Sequence, residues 1–138
     1  MESRQQIRER ITTAGVLCIG GRYFVAKRKT GGAVGNLWEF PGGKHRWGET
    51  PEQSLEREFH EEFGLEVSVG SCFHTHDFVN REVLYHLQAF WVNTAQPVRF
   101  ALHEHTEARW VSLDELLALD FVPSDIPVRE TVYELSFA

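Results

Sequence analysis

Residues 43–65 read GKHRWGETPEQSLEREFHEEFGL. The middle of this stretch carries the signs of a helix. Thr50 is an N-cap residue, Pro51 suits the first helical position, and Gln53 completes a capping box. Gly64 is the matching C-terminal stop. The predicted helix runs from Pro51 to Phe63, and Leu55, Phe59 and Phe63 give it an apolar stripe at four-residue spacing. Its polar side is crowded with acid. Glu58, Glu61 and Glu62 lie within an arc of about 100°, and like charges at that spacing cost about 0.2–0.5 kcal/mol per pair. Glu56 adds a further acid, Arg57 lies beside Glu61 at i,i+4, and Glu49 sits just before the cap near the positive helix end. Clustered carboxylates of hard oxygen character suit Mg²⁺ or Mn²⁺ better than zinc. The helix alone leaves a second reading open, a solvated acidic face.

The flanks read as strands. ITTAGVLCI (11–19) and YFVAKRK (23–29), separated by Gly20-Gly21, predict a β-hairpin. TGGAVGN (30–36) is a glycine-rich loop, and LWEFPGGKHRWGE (37–49) starts extended and then turns at Pro41-Gly42-Gly43. After the helix, VSVGSCFHTHDFV (67–79) and VLYHLQAFWV (83–92) predict two strands joined by Asn80-Arg81-Glu82. Ala108 to Val111 is a further short strand, Ser112 to Glu115 caps a second helix reaching about Leu119, and a short helix is expected after the Pro-interrupted loop from Phe121 to Pro127. Strands on both sides of a helix predict a mixed sheet with helices packed on it.

The bulk numbers set limits. A chain of 138 residues suits one domain with a real core. A net charge of −6 argues against a general nucleic-acid binder, yet a bound cation can invert the local sign at an anionic ligand. Cys18 and Cys72 stand alone and read as free thiols in a reducing compartment. No apolar run approaches the roughly 20 residues of a membrane span, and the start, MESRQQIRER, is polar. The expectation is a cytoplasmic protein without membrane contact.

The spacing of residues 43–65 carries a resemblance. Gly43 is followed after five residues by Glu49, then after seven by Arg57-Glu58, then by Glu61-Glu62 and Gly64-Leu65. This resembles the Nudix box with every fixed position filled, a match whose chance occurrence in such a chain is on the order of one in ten million. Phe40-Pro41-Gly42-Gly43 leads into it as in the MutT branch of that family, and the order of strands is similar to that branch over nearly the whole chain.

The resemblance implies an α/β protein, a single domain over residues 1–138 with an α/β/α sandwich around a mixed β-sheet. It implies hydrolysis of a nucleoside diphosphate linked to another group, with water attacking phosphorus while a divalent metal neutralises the phosphate oxygens. The implied metal is Mg²⁺, with Mn²⁺ as a substitute. Its implied ligands are Glu58, Glu61, Glu62, the Gly42 carbonyl and Glu104, which lies six residues before Trp110. Arg57 would orient the carboxylates, Glu49 would fix the loop or assist at the metal, and either Glu58 or Glu104 would be the general base. Arg28 is similar to a phosphate-contacting arginine of the MutT branch. Phe40, Phe78 and Arg81 fall where MutT-like enzymes wall the base or place an arginine near it. Asp125, in FVPSDIPV (121–128), stands where MutT proper has Asn. An ionised carboxylate only accepts hydrogen bonds, so Asp125 favours a base edge rich in donors, such as guanine N1–H or the cytosine amine. The histidines His74, His76, His103 and His105 read as surface polar residues on alternating positions rather than metal ligands.

The resulting expectation is a Mg²⁺-dependent enzyme taking a nucleoside triphosphate to monophosphate and pyrophosphate. It would clear oxidised or modified nucleotides such as 8-oxo-dGTP, a role in nucleotide-pool sanitisation and DNA repair. Its partner would be the small nucleotide substrate, with no direct nucleic-acid binding, and the chain a monomer or homodimer. Other substrates remain open: cytidine triphosphates, ADP-ribose or a dinucleoside polyphosphate. The ADP-ribose branch carries a proline about sixteen residues after the box, where this chain has Asn80-Arg81-Glu82. The coenzyme A group has an arginine-rich signature that KRKTGGAVGNLWE (27–39) matches poorly. A non-catalytic nucleotide-binding module is the remaining alternative, and the complete set of box glutamates weighs against it.

Overall fold

The computed structural model describes residues 8–95 and 99–137. Seven strands and three helices follow one another along the chain: β1 Arg8–Ile19, β2 Arg22–Arg28, β3 Trp38–Glu39, β4 Gly42–Lys44, α1 Pro51–Phe63, β5 Val67–Asn80, β6 Val83–Thr94, β7 His105–Val111, α2 Leu113–Ala118 and α3 Ile126–Leu135. A 3-10 turn, Pro123–Asp125, leads into α3.

β1 is the axis of the sheet. Its first ten residues pair in parallel with β6, from Arg8↔Val83 to Leu17↔Val92. Its middle pairs antiparallel with β4, and its end turns through Gly20-Gly21 into β2. Both glycines have positive φ, which such a two-residue hairpin turn demands. β2 then carries β3 on one side and β7 on the other, while β5 pairs with β6.

Alternation along the strands divides the core between the two faces of the sheet. Leu17, Phe24 and Ala26 point to α1 and meet Leu55, Phe59 and Phe63, all buried. Val16 and Val25 point the other way, with Trp38, Leu87 and Ala89, and meet Leu116 of α2 and Val128 and Val132 of α3. Helices thus cover both faces of a mixed sheet, an α/β/α sandwich.

α1 has the predicted ends. The Thr50 hydroxyl accepts from the Gln53 N–H, the Gln53 side chain accepts from the Thr50 N–H, and Gly64 adopts φ 67° as a left-handed cap. Two local expectations are corrected. Residues 42–44 are not a turn but the strand β4, because β1 offers them a ladder that the sequence pattern does not show. β7 begins at His105, three residues earlier than Ala108, because Arg28 of β2 pairs with it across a bulge.

Candidate active site

Arg57 organises the beginning of the site. Its Nε and Nη2 reach the two carboxylate oxygens of Glu49 at 3.0 and 2.7 Å, a bidentate pair. Its Nη1 donates to Glu58 at 3.0 Å and to Glu61 at 3.2 Å, and Nη2 also donates to the Lys44 carbonyl at 3.2 Å. The guanidinium holds Glu49 far below the usual carboxylate range, at about 2. Glu49 in turn accepts from the Arg46 N–H at 2.8 Å, and the His45 ring bonds the Glu49 carbonyl. The loop between β4 and α1 is therefore tied to the helix at several points. Glu61 also meets Arg46 at 3.5 Å and does not line the cavity described next.

The opposite behaviour appears at Glu58 and Glu62. They lie one turn apart, their carboxylates are close enough to interact, and desolvation raises the pKa of both. Glu62 is buried, and its Oε2 has no partner. Glu58 lies against Gly43 so closely that a Cβ there would come within 2.6 Å of the Glu58 carboxylate. A Cβ on Gly42 would overlap the Thr13 carbonyl. Glycine at both positions is what lets β4 lie between β1 and α1. Glu58, Glu62, Gly42, Gly43 and Glu104 line one cavity of about 750 Å³, facing Arg10, Arg28 and Lys44. Among the described residues no group of three acid, histidine or cysteine side chains is placed to hold a metal ion by itself. The donor set still fits a hard divalent cation. A desolvated pair of carboxylates, one with a buried unpartnered oxygen, on a cavity shared with Glu104 and the Gly42 backbone offers the oxygen donors that such a cation takes.

Glu39 and His105 were not expected in the site. His105 is buried, stacks on Phe63 at 5.2 Å, and its Nε2–H donates to Glu39 Oε2 at 2.8 Å. The other Glu39 oxygen accepts from Arg28 at 3.1 Å. Glu39 thus fixes Arg28 at the cavity edge, and His105 fixes Glu39. The surface reading of His105 is corrected, since its position on β7 opposite Arg28 turns it into the core. His74 and His76 are corrected likewise. They are half-buried against α3, where His74 Nδ1 meets the Thr131 hydroxyl at 2.8 Å and His74 Nε2 meets His76 Nδ1 at 2.8 Å. His103 is exposed, and its carbonyl accepts from Lys29 at 3.2 Å.

A second cavity, about 290 Å³, opens beside the first and is lined by Phe40, Phe78, Tyr85, Leu87 and Asp125. Phe40 is buried and packs edge-on against Phe121 at 5.1 Å. Phe78 stacks on Tyr85 at 5.1 Å across the β5–β6 pair. Asp125 closes the 3-10 turn, and its Oδ2 accepts from the Phe40 N–H at 3.0 Å. Burial, with the Glu39 charge nearby, pushes Asp125 up to about 8. It is therefore largely a neutral acid near pH 7, able to donate as well as accept, unlike the ionised carboxylate expected from sequence. Arg81 lies in the two-residue turn between β5 and β6 and lines an adjoining cavity rather than this one.

The NUDIX domain family model matches residues 9–132. The chain is 36% identical over 121 residues to the CTP pyrophosphohydrolase of Escherichia coli K12, covering 86% of this chain and 87% of that protein. It is 35% identical over 107 residues to the 8-oxo-dGTP diphosphatase of the same organism, covering 76% and 81%. The solution structure of the E. coli ORF135 protein superposes with a TM-score of 0.82 at 30% identity, covering 94% of this chain and 92% of that one.

Proposed function

The chain belongs to the NUDIX domain family as a MutT-like nucleotide pyrophosphohydrolase, and on that premise we propose that it cleaves (d)NTP to (d)NMP and pyrophosphate, with oxidised or modified nucleotides such as 8-oxo-dGTP as substrates. The observation that carries the proposal is the desolvated Glu58–Glu62 pair, lining one cavity with Glu104, Arg10, Arg28 and Lys44.

Glu58, Glu62, Glu104 and the Gly42 carbonyl would hold Mg²⁺, while Glu61 is paired with Arg46 and Arg57. Held there, such a cation would supply charge neutralisation at the phosphate oxygens. The chain does the rest. Arg28, Lys44 and Arg10 bind the anionic chain on the other wall. Arg57 keeps Glu58 in register with the helix, and Glu49 keeps Arg57 in place. Glu58 or Glu104 takes the proton of the attacking water, since both carboxylates line the same cavity. Phe40 and Phe78 wall the base, and Asp125 reads its edge.

A cytidine triphosphate is the second reading, favoured by a specific observation. A neutral Asp125 donates a proton as well as accepting one, so it matches the acceptor–donor edge of cytosine as well as guanine. The test is product analysis with Mg²⁺ over the normal dNTPs and NTPs, 8-oxo-dGTP, modified cytidine triphosphates and ADP-ribose. Monophosphate with pyrophosphate from a triphosphate is the expected result. Cleavage of ADP-ribose alone would overturn the base-pocket assignment. No cleavage with Mg²⁺ or Mn²⁺ would overturn the catalytic reading altogether.

A further inference from the structure

A third cavity, about 680 Å³, adjoins the other two. Arg28 and Lys44 line all three, so the cavities meet at these two side chains. The chemical linings differ sharply. The first cavity has Glu58, Glu62 and Glu104, and the second has Asp125 and Glu39. The third has no acid at all, but gathers Arg8, Arg10 and Arg81 around Arg28 and Lys44. This happens in a chain of net charge −6. Among the described residues Arg8, Arg10, Arg81 and Lys44 enter no ion pair.

The fold brings these cations together. Arg8 opens β1 opposite Val83 of β6, and Arg81 lies two residues before Val83 in the turn from β5. Arg10 follows on the same face of β1 two residues later, opposite Tyr85. Tyr85 presents its ring to Lys44, whose Nζ lies 5.8 Å from the ring centroid. Converging like charges repel, and in a partly enclosed cleft a multivalent anion relieves that repulsion.

A nucleotide has the matching topology. Its sugar bears three arms of consequence: the base on C1′, the phosphate chain on C5′, and the oxygens on C2′ and C3′. With the phosphates in the first cavity and the base in the second, the sugar lies at the junction formed by Arg28 and Lys44. The 2′ and 3′ oxygens then face the third cavity. We propose that this third cavity is a subsite for a phosphate on the 2′ or 3′ oxygen of the sugar, so that the protein prefers nucleotides phosphorylated at both ends of the sugar. The inference rests on the placement of base and phosphates given above.

The test compares guanosine 5′-monophosphate, guanosine 5′-diphosphate and guanosine 3′,5′-bisphosphate by titration calorimetry with Mg²⁺, with the cytidine set alongside. The bisphosphate is expected to bind about tenfold tighter than the monophosphate, the gain of one charge-assisted contact. It is also expected to exceed the 5′-diphosphate, which carries the same added phosphate in the wrong place. The paired variant Arg8→Gln/Arg81→Gln should bring the ratio of bisphosphate to monophosphate affinity within about twofold, since its lost contacts serve only that ratio. Both residues are exposed, so the variant keeps its core. Equal affinities for bisphosphate and monophosphate in the native protein, with triphosphates still hydrolysed, would overturn this subsite alone. A bisphosphate preference that survives intact in the paired variant would overturn it too. Failure to hydrolyse any triphosphate would instead bring down the nucleotide reading, and the subsite with it.

Discussion

Glu49, bound to Arg57 beside the start of α1, and Asp125, which lines the second cavity, have carboxylates held in opposite ways. Glu49 receives both arms of the Arg57 guanidinium and an N–H from Arg46, which holds it at about 2. Asp125 is buried with one backbone N–H as its donor, and burial lifts it to about 8. The lesson is that charge at the helix end is fixed by local partners, while protonation at the pocket end is fixed by desolvation. One end is built for stable negative charge. The other is built for a neutral acid that can both give and take a hydrogen bond.

The largest break in this comparison comes from Glu62. Glu62→Gln removes a carboxylate that can ionise onto a cation while keeping the shape, so kcat with Mg²⁺ should fall at least about a hundredfold. In the absence of metal the same variant should melt close to the native protein at neutral pH, because burial pushes Glu62 up to about 10 and already keeps it protonated. A calorimetric scan in chelator beside an initial-rate assay tests both halves, and retained turnover would remove Glu62 from the chemistry.

Arg57 comes next. Arg57→Ala leaves Glu49, Glu58 and Glu61 without their shared donor and should cost on the order of 3 kcal/mol in urea unfolding. Arg57→Lys should recover only part of that loss, since an ammonium cannot bridge Glu49 bidentately while serving the others. Full recovery by lysine would show that charge alone, not the planar fork, organises the loop.

Asp125 sharpens the comparison through pH. Its folded pKa of about 8 lies above the ordinary aspartate value of 3.8. Between these values the folded chain holds a proton that the unfolded chain has released. The stability associated with neutral Asp125 is therefore complete below about pH 4 and is lost as pH rises towards 8. Asp125→Asn keeps an acceptor for the Phe40 N–H and has no proton to lose. The difference in melting temperature between variant and native protein should swing in favour of the variant across pH 4–8 and level off above it. A pH-independent difference would place the native Asp125 in the ionised form. The same variant should shift KM between bases more than kcat.

The smallest effect is expected at Trp47, whose side chain is 99% exposed in the loop before α1. Trp47→Ser should change unfolding free energy by less than about 0.5 kcal/mol. A larger loss would mean that this loop is held by more than the Glu49–Arg57 pair.

The helix end of the site was legible because its signals are local. Thr50, Pro51, Gln53 and Gly64 each act within one turn of their own position, and the structure has α1 at Pro51–Phe63 as predicted. The hairpin at Gly20-Gly21 and the strands on either side of Asn80-Arg81-Glu82 follow from the same short-range rules. The Arg57–Glu61 contact is an i,i+4 pair, and the Nudix spacing carries the family.

The pocket end was not legible in the same way. Alternation along β7 says that His105 and Thr106 face opposite sides, but not which side is the core. That choice is made by Arg28, 77 residues earlier in the chain, and by Phe63 on the helix. Pro41-Gly42-Gly43 has the composition of a turn, and only the neighbouring β1 makes residues 42–44 a strand. Asp125 reads from sequence as an ionised carboxylate in a Pro-interrupted loop, and the fold instead buries it against the N–H of Phe40, 85 residues away. The sequence by itself determined the helix, its acidic face and the family, because capping, periodicity and motif spacing act over a few bonds. Tertiary structure alone decided which acids lose water, which histidines enter the core and where the cationic arms of the cleft meet. Desolvation and charge convergence depend on distance in space, and strands far apart in the chain set that distance.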